Sequence, residues 1–224
     1  KEEGGFLGSI SRSEEQAALR EDSFLPKQFA NEDNCEAHYL TTGPEIASQM
    51  EVAGAKCDAF IAGVSTGGTV MGTGRYLKTI HSDVKVYPLE PANSPTMSTG
   101  YKVGKHRIQG ISDEFIPEIV KLGALDDIIA VDDGDAIIMA QMLARDLGLG
   151  VGISSGANLI GALMAQDKLG EKAQTVTIFA DDNKKYLSTD LMRTEPVKEG
   201  FYSTDIRLLG YRTIKSSCNL CKRG

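Results

Sequence analysis

Asp58-Ala-Phe-Ile-Ala-Gly-Val-Ser-Thr-Gly-Gly-Thr69 carries the strongest architectural signal in the chain. An apolar run of strand length passes into a turn of glycines and hydroxyls, and the residues beyond, through Arg75, Tyr76 and Leu77, carry a helical pattern. A strand that is apolar on both faces belongs inside a parallel sheet, and parallel neighbours need helical crossovers. The same alternation recurs outward from this segment. Strands are expected at residues 24–29, 59–62, 84–89, 127–131 and 175–179. Helices are expected at 13–20, 43–52, 67–80, 134–147 and 156–169, with Ile137, Ile138, Met142 and Leu143 showing the spacing. The fold class is α/β: a doubly wound, mostly parallel sheet flanked by helices. No repeat, low-complexity tract or linker breaks the pattern before about residue 193; beyond it the pattern weakens, and the tail has no evident place.

Composition narrows the function. With 224 residues, 41% of them apolar, the chain can bury a sizeable core. Its formal charge of -7 argues against a surface built for nucleic acid. No apolar run approaches the roughly 20 residues that cross a bilayer, so no membrane role is expected. Four cysteines, at 35, 57, 218 and 221, are too few and too unevenly spread for a disulfide framework, which points to a reducing, cytoplasmic setting.

The turn after the first strand has the chemistry of an anion cradle. Amides at a helix start lack acceptors, the aligned peptide dipoles add positive potential, and glycines admit the anion closely. Thr66 and Thr69 add hydroxyl donors. A nucleotide-triphosphatase loop would need a Gly-Lys-Ser/Thr ending, and a dinucleotide fingerprint would need Gly-x-Gly-x-x-Gly; residues 63–68 spell neither. The glycines alone are also compatible with a merely tight strand-to-helix turn. Gly152-Ile-Ser-Ser-Gly-Ala157 is a second such turn before a helix, where serine serves equally as an N-cap.

These segments, taken in order, resemble the cysteine synthase group of pyridoxal-phosphate enzymes, which share the fold of the tryptophan synthase β subunit. The resemblance runs through Gln28-Phe29 with Asn31, Glu36-Ala-His38, Thr41-Thr-Gly-Pro-Glu-Ile46, the glycine-rich turn, Leu89-Glu-Pro91 and Ser94-Pro95. It continues through His106-Arg-Ile-Gln-Gly-Ile111, Phe115-Ile-Pro117, the Ser-Ser-Gly turn and Tyr186-Leu-Ser-Thr-Asp-Leu191, covering about residues 4–192. It implies that the chain is the larger, carboxy-terminal part of a fold-type II enzyme, with residues 1–192 as the cofactor-binding domain and 193–224 as an extension.

By this resemblance, Ser65, Thr66, Gly67, Gly68 and Thr69 grip the phosphate of pyridoxal 5'-phosphate, and Ser154 faces the pyridine nitrogen. A neutral hydroxyl there makes the ring a milder electron sink, which suits β-elimination and replacement better than transamination. Gln28 resembles a residue that helps hold the substrate carboxylate, and the Gly110-Ile111 backbone resembles the segment lining the substrate side of the ring. The implied reaction replaces the acetate of O-acetylserine with sulfide to give cysteine. Alternatives are a cystathionine β-synthase, an O-phosphoserine-using relative or, in a different class, a non-catalytic binding module. The resemblance further implies a homodimer, and a possible partner in the carboxy terminus of serine acetyltransferase.

The sequence departs from the family in one decisive place. The Ser/Lys/Arg motif with the Schiff-base lysine, and the Asn/Thr/Gly loop after it, do not occur in these 224 residues. Lys56, Lys78, Lys85 and Lys105 stand in polar settings and read as surface charges, so the chain alone is expected to be inactive. Asp113 and Glu114 follow Gly110-Ile-Ser where relatives carry small residues; they act on a leaving group or a water, or are simply solvated. Ser65 replaces a common Gly, and Ala180-Asp-Asp-Asn183 replaces Pro-Asp-Ser-Gly. Cys218 and Cys221 suit half a zinc site, a redox pair or an inert tail. His38 reads as a structural hydrogen-bonding residue rather than a base, and Met139, Met142 and Met164 read as core fillers.

Overall fold

Phe60 and Ile61 sit side by side in the chain, are wholly buried, and belong to different apolar clusters. Successive strand residues point to opposite faces, so a strand apolar at both positions must be covered on both sides. The computed structural model, which describes residues 5–111 and 114–215, places them in β1 (Ala59–Gly63). Complete burial of each contributes roughly 1.5–3 kcal/mol relative to an exposed position. With β2 (Lys85–Pro91), β3 (Ile129–Val131) and β4 (Thr175–Thr177), β1 forms a parallel sheet in the order β3-β2-β1-β4. Ala59 pairs with Lys85 on one side and with Thr175 on the other.

Helices cover both faces, as the doubly wound class requires. On one side α3 (Thr42–Ala53) and α4 (Gly68–Ile80) bring Ile46, Val70 and Leu77 to Phe60, Ala62 and Val86. On the other, α6 (Asp133–Leu147) and α7 (Ile153–Leu169) bring Ile137, Met139, Leu143 and Ile160 to Ile61, Leu89 and Ile129. Met139 and Met142 are buried and Met164 packs against the core, as expected of gap fillers. Helix α6 shows why such segments start and stop where they do. Asp132 caps its start by accepting the Gly134 N–H at 2.8 Å, and Gly148, at φ +70, ends it while the Leu149 N–H returns to the Leu143 carbonyl.

The expected strand at residues 24–29 does not form. Pro26 has no N–H to give a ladder, Lys27 adopts φ +50, and the Ala30 and Asn31 N–H groups both turn back to the Lys27 carbonyl. The sheet therefore has four strands among the described residues, not five. Conversely, α2 (Asp33–Leu40) was not expected, because its single buried side chain, Cys35, gives no apolar period to read. It lies on α4 because Gly68 and Gly72, one turn apart, offer no side chain there: a Cβ on Gly72 would stand 2.0 Å from the Cys35 carbonyl oxygen. Helix α1 (Gly5–Ala18) starts earlier than expected and buries none of its residues, with Phe6 meeting Phe29 edge-on at 6.1 Å. The short α5 (Thr96–Thr99) is held by the buried Glu90 carboxylate, which accepts the Met97 N–H at 2.7 Å.

The tail finds a place on the core. Asp135, buried in the first turn of α6, accepts the Tyr202 and Ser203 N–H groups at 2.8 and 2.9 Å. Phe201 is buried, and Tyr202, Ile206 and Leu208 pack against the α6–α7 cluster. Cys218 and Cys221 lie outside the described residues.

Candidate functional site at the β1–β4 switch point

Chain order and strand order diverge at one point in the sheet. From β1 the chain winds through α4 to β2 and on to β3, then returns through α6 and α7 to β4 on the far side of β1. Loops leaving β1 and β4 therefore part at the carboxyl ends of the two strands, the place where open α/β sheets bind ligands. Both glycine-serine turns lie there.

The first turn follows β1 and opens α4. Gly67, at φ +91, bends the chain, and a Cβ on it would stand 2.2 Å from Val120 Cγ2. The Met71 N–H reaches the Gly67 carbonyl at 3.0 Å, so the amides ahead of it stand at the open end of the helix. Two hydroxyls flank them, and α2 holds both. Asn34 Nδ2 donates to Thr66 Oγ1 at 2.9 Å, and Thr66 Oγ1 also accepts the Gly68 N–H at 3.3 Å. One helical turn later His38 Nε2 meets Thr69 Oγ1 at 3.2 Å, while its Nδ1 meets Thr42 Oγ1 at 2.8 Å. Burial lowers the His38 pKa, so the ring is neutral at pH 7 and one nitrogen donates while the other accepts. His38 is thus a hydrogen-bonding residue, as read from the sequence.

The second turn precedes α7. Gly152 donates its N–H to the Asp181 carbonyl at 3.1 Å, Asn183 returns a bond to the Gly150 carbonyl at 3.1 Å, and Val151 bridges Asp182. This short antiparallel contact fixes the start of α7 beside the chain leaving β4. Ser154 is buried, and Ser155 Oγ, wholly buried, has no hydrogen-bond partner within the protein. Ser154 shares its helix face with Asn158 one turn on. Asn158 binds both strand ends, accepting the Gly63 N–H at 2.8 Å and donating to the Ile178 carbonyl at 2.7 Å. The Tyr186 hydroxyl donates to Asp181 Oδ2, and burial with that carboxylate pushes the phenol up to about 12.

Gln28 and Gly110 are the residues expected on the substrate side. Gln28 is exposed, and its carbonyl accepts from the same Asn34 Nδ2 that holds Thr66, at 3.0 Å. Gly110 is exposed at φ +88, and Ile111 fills the space a side chain on Gly63 would occupy, its Cγ2 lying 2.7 Å from that Cβ position. Asp113 lies outside the described residues; Glu114 pairs with Lys102 at 2.7 Å. Lys56 pairs with Asp83 at 2.6 Å, Lys78 and Lys85 both pair with Asp126, and Lys105 is exposed. Cys35 and Cys57 are buried and unbridged, and burial pushes the Cys57 thiol up to about 12, leaving it inert. A groove of about 670 Å³ between α3 and α4, lined by Pro44, Met50 and Tyr76, contains no residue of either turn.

Asn34 and Asn158 are parts of the site that the sequence did not single out; Asp181 and Tyr186 lie in stretches it quoted, but their pairing was not foreseen. The i, i+4 spacing of Asn34 and His38 was the one signal available, and it is meaningful only once α2 is known to be a helix.

An anion cradle and a buried neutral hydroxyl, set at a switch point without a side-chain cation in the turn, define a cofactor-binding α/β enzyme domain. The chain belongs to the pyridoxal-phosphate dependent enzyme family, whose model matches residues 3–181. It is 42% identical over 184 residues to a probable cysteine synthase of Bacillus subtilis, covering 82% of this chain and 59% of that one. Among solved structures, a hydrogen sulfide-producing enzyme from Fusobacterium nucleatum superposes with a TM-score of 0.89 at 62% identity, over 92% of this chain and 61% of that one. An O-acetylserine dependent cystathionine β-synthase from Helicobacter pylori gives 0.75 at 37% identity, over 88% and 60%. The chain thus spans about three-fifths of the length of these relatives. The residues present fit the family's cofactor: the first turn supplies donors to a phosphate, and the orphaned Ser155 hydroxyl and buried Ser154 give the second turn unspent hydrogen-bonding capacity.

Proposed function

We propose that the protein containing these residues replaces the β-substituent of an activated serine, O-acetylserine, with sulfide to give cysteine. The observation that carries this reading is the glycine-rich turn opening α4 after β1, together with the buried neutral Ser154 in the turn that Val151 and Gly152 tie to the chain leaving β4. Pyridoxal phosphate, when bound, supplies the electron sink for charge developing at the substrate α-carbon. This chain's residues hold and orient it. The α4 amides and the Thr66 and Thr69 hydroxyls take the phosphate, with Ser65 beside them, and Gly67 and Gly68 allow the close approach. Ser154 would offer the ring nitrogen a neutral hydroxyl rather than a carboxylate, which suits elimination and replacement better than transamination. Gln28 and the Gly110 backbone line the substrate side. The lysine that attaches the cofactor and moves the α-proton comes from outside residues 1–224, so this chain by itself is inactive. Residues 1–192 form the cofactor-binding domain, and the active form is a homodimer.

The 62% identity to a hydrogen sulfide-producing enzyme favours a second reading, in which cysteine is the substrate and sulfide the leaving group. Both readings use the same cradle and differ only in what departs from the β-carbon. The longer protein, incubated separately with O-acetylserine plus sulfide, cysteine alone, and serine plus a thiol, decides between them. Cysteine formation from O-acetylserine at the highest kcat/KM supports the first. Faster sulfide release from cysteine replaces it with the second, and exclusive use of serine overturns both.

A further inference from the structure

Arg107 carries a density of charge contacts that the proposed reaction does not use. Its guanidinium meets Glu195 in a two-pronged pair, Nη1 to Oε2 at 2.8 Å and Nη2 to Oε1 at 2.6 Å. Nη1 also reaches Asp190 Oδ2 at 3.1 Å, and Nε lies 3.7 Å from Asp133 Oδ2. The same Asp133 oxygen accepts the Arg107 backbone N–H at 2.7 Å. Arg193 completes the cluster by pairing with Asp190 at 2.8 Å. The Glu195 and Asp133 side chains are only 6% and 4% exposed, so both carboxylates are nearly removed from water and depend on this guanidinium. An exposed surface pair would carry little weight; a desolvated, bidentate one fixes geometry.

That geometry bears on the site through a short piece of chain. Gly110 is three residues from Arg107, at most about 10 Å of extended backbone. Between them Ile108 is wholly buried, and just past Gly110 Ile111 is buried against Gly63 at the end of β1. Gln109 and Gly110 are exposed. The segment is therefore pinned at both ends, by an ion pair and a core side chain before the exposed backbone and by a core side chain after it. The pin at the first end comes from the tail, which Asp135 holds to α6 through the Tyr202 and Ser203 amides.

We propose that Glu195, through its bidentate pair with Arg107, is a positioning residue for substrate: residues 190–203 latch the 107–111 segment so that the Gln109–Gly110 backbone is presented at the β1 end. The proposal rests on the reading of Gly110 as part of the substrate side. The tail is then a working part of the site rather than an appendage. The hydroxyls of the first turn are held by Asn34 and His38 of α2, not by the latch, so the effect falls on substrate rather than on cofactor.

The test uses the longer protein with the variants Glu195→Gln, which keeps shape and loses charge, and Glu195→Asp, which keeps charge. The expected result for Glu195→Gln is a KM for the amino-acid substrate raised about tenfold, with kcat and pyridoxal-phosphate affinity within twofold of wild type, and partial recovery in Glu195→Asp. Independently of turnover, hydrogen exchange of the cofactor-free protein should show the amides of residues 108–110 opening about tenfold faster in Glu195→Gln, with α4 unchanged. Unaltered KM and unaltered exchange at 108–110 overturn the latch. So does equal loss of cofactor affinity and exchange protection throughout the domain, which marks a purely structural pair. A wild-type protein without activity on any amino acid refutes the proposed function instead, and the exchange result still decides whether the latch exists.

Discussion

Asn158 accepts the Gly63 N–H with Oδ1 and donates to the Ile178 carbonyl with Nδ2, so a single side chain of α7 ties the exits of β1 and β4 together. The last ladder pair between them is Ile61 with Thr177, so beyond it this amide takes over the link. Substituting Asn158→Leu keeps the branched shape but leaves one buried donor and one buried acceptor unpaired. The expected loss is about 2–4 kcal/mol of unfolding free energy in denaturant titration. Asn158→Asp is expected to be no better, because a carboxylate cannot donate to the Ile178 carbonyl.

His38 sits one shell behind the cradle, between Thr69 and Thr42. Replacing it with Ala removes the partner that orients the Thr69 hydroxyl. The affinity of the longer protein for pyridoxal phosphate is expected to fall about three- to tenfold, the equivalent of one ordinary hydrogen bond. Pyridoxal, which lacks the phosphate, should bind wild type and variant alike. Equal weakening for both ligands would assign His38 a role elsewhere.

Gly72 allows α2 to touch α4, and through that contact the Asn34 and His38 side chains reach the cradle. A methyl group there would stand 2.0 Å from backbone, the Cys35 carbonyl, which cannot swing aside. Gly72→Ala is expected to cost about 1–3 kcal/mol in stability and to push α2 off the cradle, despite the better helix propensity of alanine. Cofactor affinity should drop with it, measured by fluorescence titration.

Asp133 is held up at about 6, chiefly by burial, although the Arg107 guanidinium and N–H favour its charge. The folded chain keeps a proton that the unfolded carboxyl, near its usual value of 3.8, has already released. The stabilisation is therefore full below pH 4 and lost as the pH climbs through 6. Replacement by Asn removes that dependence. The stability difference, variant minus wild type, is expected to shift in favour of Asp133→Asn by on the order of 3 kcal/mol between pH 4 and pH 7. Parallel curves over that range would show that Asp133 titrates normally.

Legibility in the sequence followed the physical origin of each signal. Strands β1 and β2 were readable as short unbroken apolar runs, and helices α4, α6 and α7 by the helical spacing of their apolar residues; both signals survive without a partner. Residues 24–29 deceived for the same reason: Phe24, Leu25 and Phe29 look like a strand, yet Phe24 is 84% exposed and Pro26 and Lys27 prevent pairing. Helix α2 was invisible because its service is polar, through Asn34 and His38, and polar contacts leave no repeat. The tail was equally unreadable, since its anchors are scattered: two backbone amides on Asp135, the Glu195–Arg107 pair, and a few apolar side chains without a period.

The sequence by itself determined the α/β class, the two turns and the family, because glycine, hydroxyl and apolar spacing express local backbone needs that any observer can read in order. It took the assembled layers to show that Asn158 joins the ends of β1 and β4, that Asn34 and His38 stand behind the threonines, and that Glu195 reaches Arg107 from 88 residues away. Such contacts depend on where the chain returns, and a return is set by the packing of whole layers, which no short window of residues records.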